Sequence, residues 1–340
     1  MTQLPSPNAR PKVRYFALGG GGVNLADHIL SRIQGQYELS AIDSSDSNTK
    51  QMTNAKSVKP HYFRDAQGNL LDGAGQDRKL IYPYIQRQMP EIMEEIVPGL
   101  YNIVIATGIG GTGSMALPFA VKHLLENDQR VIVVLILEKS TSKFVTNAIN
   151  TIKGLKGLAD SKGKPITCLV YENTPQTPRT EIDQHILDDL ALLNMLFADD
   201  SGELDSRDIY NWLNYQNVTE TEPGLNVMRI VTRSDGVYSD DNIISVATAT
   251  TLDTHTSNLG DVLIDYETKV IVQGPQAGDV RESLPVHFVI HSGGFERLVA
   301  EYQRTMQQND ERREQRNKTA AFDILSAGKG ASIKDDGIVV

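Results

Sequence analysis

Two short glycine-rich segments carry the chemistry most readily read from this sequence. Gly19-Gly20-Gly21-Gly22 follows the apolar run Val13–Leu18, and Gly110-Gly111-Thr112-Gly113-Ser114 follows the apolar run Tyr101–Ala106. Glycine lets a ligand approach the main chain closely and permits positive φ. Successive backbone N–H groups there, with a helix starting behind them, suit a phosphate. Two such segments in one parallel sheet suit a polyphosphate held from both sides.

Three nucleotide-binding patterns compete for these residues. In a dinucleotide-binding unit, Gly19 and Gly21 supply part of G-x-G-x-x-G, and Asp43, at the end of the next strand, is the ribose-binding acid. Asn24 stands where the third glycine belongs, and that pattern gives Gly110–Ser114 no role. A soluble NAD-dependent dehydrogenase of this kind would use His123 or His185 as its acid or base. A phosphate-binding loop of the G-x-x-x-x-G-K-[ST] type is absent, because the pair Gly328-Lys329 has no strand before it.

The elements that must position these residues follow from hydrophobic patterning. Strands are expected at Val13–Leu18, Glu38–Ile42, Tyr101–Ala106, Val131–Leu137 and Ile166–Tyr171. They are near-continuous apolar runs, as in parallel strands covered on both faces. Helices are expected at Asn24–Ile33, Arg78–Ile96, Ser114–Glu126, Lys143–Leu158 and Thr180–Phe197. This alternation predicts a doubly wound α/β sheet. The second half reads as a smaller α/β unit of mixed pairing. It has a short helix at Asp208–Tyr215, strands at Val227–Val231, Lys269–Gln273 and Val286–His291, and a helix near Ile243–Thr251. A long polar helix is expected from about Gly294 to Lys318.

Composition sets broad limits. The chain has 340 residues, 40% hydrophobic, with a formal net charge of -10. That charge argues against broad nucleic-acid binding through phosphate neutralisation. No apolar run approaches the ~20 residues of a membrane-spanning helix. The first residues, Met1 to Lys12, are polar and proline-rich, unlike a signal peptide. Cys168 sits in an apolar strand and reads as a small buried hydrophobe. A single cysteine allows no disulfide within the chain, in keeping with a reducing cytosol.

Gly110-Gly111-Thr112-Gly113-Ser114 resembles the G-G-T-G-[ST] signature of the tubulin and FtsZ superfamily, with Ile109 and Met115 as departures on either side. Other segments fall in that family's order. Gly19–Gly22 with Asn24 is similar to its first phosphate loop, and Asp43 and Asp46 fall in the second. Gly73-Ala74-Gly75 falls in the third, which in that family approaches the terminal phosphate. Glu138–Lys143 stands at the ribose loop, and Thr180–Phe197 resembles the long central helix. Asp183 occupies the position that reads guanine. Leu204-Asp205-Ser206-Arg207-Asp208-Ile209 resembles the catalytic loop. Two carboxylates three apart at a helix start face one way, so Asp205 and Asp208 can orient a water and accept its proton. Taken alone, the same pair reads as an N-cap and a dipole-complementing acid.

From Asp183 to Phe197 a helix rises ~21 Å, so Asp205 lies too far to serve the same nucleotide. It can serve one on a second copy stacked head to tail, a contact that builds a filament. The resemblance therefore implies a GTPase whose GTP lies between subunits and is cleaved in trans to GDP and phosphate, with Mg²⁺ held through the phosphates. Gly202–Trp212, Gly73–Gly75 running into Arg78-Lys79, and the ending Asp336-Gly337-Ile338-Val339-Val340 are similar to bacteriophage tubulins of the PhuZ type. That likeness implies dynamic filaments in the cytoplasm of an infected bacterium, positioning replicating phage DNA, with the C-terminal tail docked on a neighbouring subunit. A plasmid-partition tubulin shares the fold and chemistry and remains the alternative. The implied division is a disordered leader (1–12), a GTP-binding domain (13–178), the central helix (179–198), a second α/β domain (199–293), the C-terminal helix (294–320) and an acidic-apolar tail (321–340).

Overall fold

A computed structural model of the chain describes residues 10–33, 37–54, 57–198, 206–232, 242–250, 259, 264–272 and 284–330, with backbone alone at 198, 206 and 320–330. Asp205 and the end of the tail, 331–340, lie outside the described residues. Among the described residues ten strands form one sheet, in the order β3-β2-β1-β4-β5-β6-β7-β10-β8-β9. They are β1 (Val13–Leu18), β2 (Tyr37–Asp43), β3 (Lys59–Tyr62), β4 (Tyr101–Thr107), β5 (Arg130–Glu138), β6 (Ile166–Asn173), β7 (Leu225–Val231), β8 (Ile243–Thr250), β9 (Tyr266–Ile271) and β10 (Val286–His291). Strands β1 to β7 run parallel to one another. β10 runs antiparallel to both β7 and β8, and β9 is parallel to β8. The doubly wound sheet expected from the apolar runs is present, and the strands of the second half extend it.

Those runs are continuous because both faces of the sheet are covered. Side chains alternate across a strand. Tyr15, Ala17, Ile132 and Val134 therefore join one core with helices α1 (Gly19–Arg32), α6 (Arg179–Ala198) and α7 (Ser206–Leu213). Phe16, Leu18, Val133 and Leu135 join the other with α3 (Arg78–Glu95), α4 (Thr112–Glu126), α5 (Ser142–Lys162) and α8 (Gly294–Gly330). A short helix, α2 (Ser47–Lys50), lies in the turn after β2.

The sequence reading departs from the structure in three elements. Ile243–Thr250, expected as a helix, is strand β8, with all eight residues buried. Its β-branched Ile243, Ile244, Val246, Thr248 and Thr250 suit a pleated surface better than a helix, and β9 and β10 flank it on both edges. β3, Lys59-Pro60-His61-Tyr62, gave no apolar signal because it is an edge strand, where proline is tolerated. Helix α8 runs on past Lys318 to Gly330. The end of the leader, expected to be disordered, is instead tied to the domain at residues 10–12, because Leu100 N donates to Pro11 O at 3.0 Å and Tyr101 N to Lys12 O at 2.9 Å.

Buried polar groups hold the second half together. Trp212, fully buried, donates its indole N–H to Phe288 O at 3.2 Å, and Ser245 Oγ donates to Trp212 O at 3.0 Å. His287, also buried, shares a 2.9 Å hydrogen bond between Nδ1 and Thr248 Oγ1. Burial, and then the charge of Lys269, lowers the His287 pKa to about 4. An unfolded histidine titrates near ~6.5. The unfolded chain therefore binds the proton more readily, and stability is lost as pH falls from about 6.5 toward 4. Urea unfolding midpoints at pH 7 and pH 5 should show this loss, and His287→Gln should reduce it.

Candidate functional site

Both glycine segments prove to be first turns of helices. α1 begins at Gly19 itself, directly after β1, and α4 begins at Thr112 with Gly111 as its N-cap. The leading N–H groups of a helix lack carbonyl partners within it. Here two such sets converge at the C-terminal edge of the parallel strands, where ligands bind in open α/β sheets. Neither helix has an acidic residue in its first turn, so the positive ends of both dipoles are left for an anion.

The two turns touch backbone to backbone. Gly19 has φ +65°, and a Cβ built there would stand 2.5 Å from Gly113 N and 2.8 Å from Gly113 Cα. A Cβ on Gly113 would stand 2.7 Å from Leu18 O. On its other side the α4 turn meets the third loop, where a Cβ on Gly111 would stand 2.5 Å from the Ala74 Cβ. Gly73 and Gly75 have open space beside them and φ of +74° and +51°. The sequence-predicted residues Gly19–Gly22, Gly73–Gly75 and Gly110–Ser114 are thus gathered around one spot.

Hydroxyls and carboxylates of the site have specific duties. Thr112 Oγ1 shares a 2.6 Å hydrogen bond with Ser44 Oγ, both buried. Ser114 donates its hydroxyl back to Gly110 O, so that proton is engaged within its own turn. Asp43 is buried, accepting Ser44 N at 2.7 Å and Asn48 Nδ2 at 3.3 Å. Burial raises its pKa, against the opposing pull of those hydrogen bonds. Asn48 lies against Gly20, whose added Cβ would meet its Nδ2 at 2.7 Å. Asp43 therefore organises the second loop, in place of the free carboxylate a dinucleotide ribose requires. Asp46 in the same loop pairs with Lys50 at 2.8 Å.

Asn24 and His28 lie one turn apart on α1, both exposed, and α1 packs near α6. Asp183 on α6 is half-buried, and burial raises its pKa while His28 and Arg179 pull the other way. These residues form the flank of the site beside α1. The segment Glu138–Lys143 spans from there to the third loop. Glu138 pairs with Arg179 at 3.4 Å, and Lys143 Nζ reaches Gly75 O at 3.5 Å.

Asp208 is elsewhere. It lies in the first turn of α7, accepts the Tyr266 hydroxyl at 3.4 Å, and belongs with β8 and β9 beyond the far end of α6. The twenty-residue α6 spans ~30 Å. His123 sits in the last turn of α4, the end opposite Gly111, and His185 is exposed on α6. Neither stands at the glycine turns. Among the described residues, no three His, Cys, Asp or Glu side chains gather to hold a metal ion, and no helix is long and apolar enough to cross a membrane.

Sequence reasoning missed the residues that hold the loops. Asp77 caps α3 by accepting Lys79 N at 2.9 Å and Leu80 N at 3.3 Å. Thr151 Oγ1 donates to Gly108 O at 3.0 Å, and Arg78 Nη1 donates to that same Oγ1 at 2.5 Å. Asp77 had a capping signal in its position before the helix. Thr151 lies deep in α5 and had none.

No family model matches the chain. It is 28% identical over 207 residues to a phage tubulin-like protein of Pseudomonas phage PhiPA3. It is 27% identical over 217 residues to that of Pseudomonas phage phiKZ. Each match covers 61% of this chain, and they span 62% and 64% of those relatives' lengths. The fold matches the phage tubulin PhuZ with GDP at a TM-score of 0.77 and 21% identity, covering 97% of this chain and 99% of that one. A protofilament of TubZ from Bacteriophage PhiKZ matches at 0.74 and 21% identity, covering 97% and 96%. The chain has the tubulin/FtsZ fold. Within that fold its likeness, in sequence and in structure, is to phage tubulins of the PhuZ type.

The Gly19–Gly113 contact leaves no room for a side chain. Gly113→Ala should push the end of β1 from α4, costing about 1–3 kcal/mol in stability. It should also displace the amides of both turns, so that any phosphate group they hold would bind about tenfold or more weakly. Urea unfolding and nucleotide titration of the purified variant measure both.

Proposed function

We propose that the chain is a GTP-binding, GTP-hydrolysing protein that assembles head to tail into filaments. The observation that carries this reading is the convergence of two helix N-termini and the third loop on one spot, where Gly19, Gly111 and Gly113 have no room for a Cβ. Main-chain amides of Gly19–Gly22 and Gly110–Ser114 donate to phosphate oxygens, with Gly73–Gly75 at the outer end. Asp183 accepts the N1–H and N2–H of guanine, and Asn24 lies beside it. Mg²⁺, held through the phosphates, supplies charge neutralisation during phosphoryl transfer.

Hydrolysis on this reading needs a second copy. Asp208 stands beyond the far end of α6 from Asp183, so it serves the nucleotide of the next subunit. There, with Asp205, it orients a water and accepts its proton. Support comes from similar proteins described as a filament and a protofilament. A contact of this heterologous kind does not close on itself. The phage relatives favour a role in the cytoplasm of an infected bacterium, as a spindle that positions replicating phage DNA. On this reading the tail 331–340 docks on a neighbouring subunit.

Light scattering of the concentrated protein with Mg²⁺ should rise with GTP, not ATP, and decay as phosphate is released. Asp205→Ala and Asp208→Ala should still bind GTP and assemble, while phosphate release slows at least about 100-fold. A chain ending at Ala331 should fold and need a higher concentration to assemble. A flat trace with GTP, or loss of GTP binding by a folded, monomeric Asp208→Ala, would contradict the reading.

A further inference from the structure

The third loop closes on itself through a hydrogen bond from Asp77 N to Ala74 O at 2.7 Å, and it concentrates unusual backbone conformations. Gly73, Gly75 and Gln76 all have left-handed backbones, with φ of +74°, +51° and +63°. Glycine adopts this conformation freely, whereas glutamine is strained by it and needs support from its surroundings. Gln76 receives that support from α5, where Asn147 Nδ2 donates to Gln76 O at 3.2 Å.

The same nitrogen reaches Ile109 O at 2.9 Å and Gly110 O at 3.4 Å. Asn147 is only 6% exposed, so water competes little for these bonds. A single buried amide thus bridges the third loop and the turn that opens α4. Arg78, immediately after the third loop, braces the arrangement by donating to Asn147 O at 3.2 Å. Burial alone lowers its guanidinium pKa.

The order of contacts shows which part of a nucleotide this bridge governs. Along the α4 turn, Gly113 meets the first turn of α1 and Gly111 meets the third loop. The α1 side also carries Asn24 and His28 and faces Asp183. A nucleoside seated there runs its phosphate chain across the α4 turn and ends it at the third loop. A shorter phosphate chain stops before that loop.

We infer that Asn147 is a positioning residue, latching the third loop to the Gly110–Ser114 turn and thereby setting a preference for nucleoside triphosphate over diphosphate. The inference rests on the nucleotide reading above. Asn147 touches no ligand and acts through the backbones of Gln76 and Gly110. Its donors fix where the third-loop amides point. Without them, Gln76 relaxes from its left-handed conformation and the loop swings from Gly111.

The test uses the full-length chain, dilute enough to stay monomeric, with Asn147→Ala. Hydrogen exchange of residues 72–77 is measured without nucleotide. Binding of GDP and of a non-hydrolysable guanosine triphosphate is then titrated. The latch predicts faster exchange at 72–77, triphosphate affinity lower by about tenfold or more, and GDP affinity within about twofold of the parent. Arg78→Ala, which leaves the Asn147 amide in place, should show the same split at smaller size and serves if Asn147→Ala does not fold. Equal losses for both nucleotides, or unchanged exchange, would overturn the inference. A parent chain that binds neither nucleotide overturns the nucleotide reading and the preference with it; the exchange at 72–77 then decides the latch alone.

Discussion

The backbone contact between Gly19 and Gly113 is the constraint on which the rest of the structure depends. It joins the start of α1 to the start of α4 at a separation that excludes any Cβ. Two helices can approach this closely at their N-termini only if the strands beneath them are neighbours, and β1 and β4 are paired in register from Val13↔Tyr101 to Leu18↔Ala106. Bringing two positive helix ends together is electrostatically unfavourable. With no acidic residue in either first turn, an anion seated over the pair would offset that cost.

From that contact the other elements acquire their places. The second loop backs the first turn of α1 through Asn48 and Asp43, and joins α4 through the Ser44–Thr112 hydroxyl pair. The third loop leans on Gly111 and is held from α5. α6 then leads away from the site, from Asp183 to the region where α7 presents Asp208 over β8 and β9. The glycine turns and Asp208 thus lie at opposite ends of α6, and the head-to-tail filament proposed above would bring them together.

Much of this was legible in the sequence, and the exceptions have physical causes. The runs of β1, β4, β5 and β6 announced themselves because both faces are buried, so most positions are apolar, with Arg14, Asn102 and Thr167 as buried polar residues within them. The glycine turns were legible because close approach admits only one residue type. β8 was misread because Ala247 and Ala249 dilute its β-branched pattern, and its neighbours β9 and β10 lie far along the chain. Asp43 looked like a ribose acid from its place at the end of β2, yet its carboxylate is turned into the loop that follows. Asn147 gave no signal at all. Its role depends on carbonyls at Gln76 and Ile109, and hydrogen bonds between distant segments leave no spacing to read.

The account stands most directly on where a bound nucleotide puts its phosphates. A crystal structure of the chain with a non-hydrolysable guanosine triphosphate and Mg²⁺ would locate them. The account predicts phosphate oxygens within hydrogen-bonding distance of the main-chain amides of both Gly19–Gly22 and Gly110–Ser114, with guanine against Asp183. Phosphates bound to the first turn of α1 alone, with the Gly110–Ser114 turn out of contact, would contradict it.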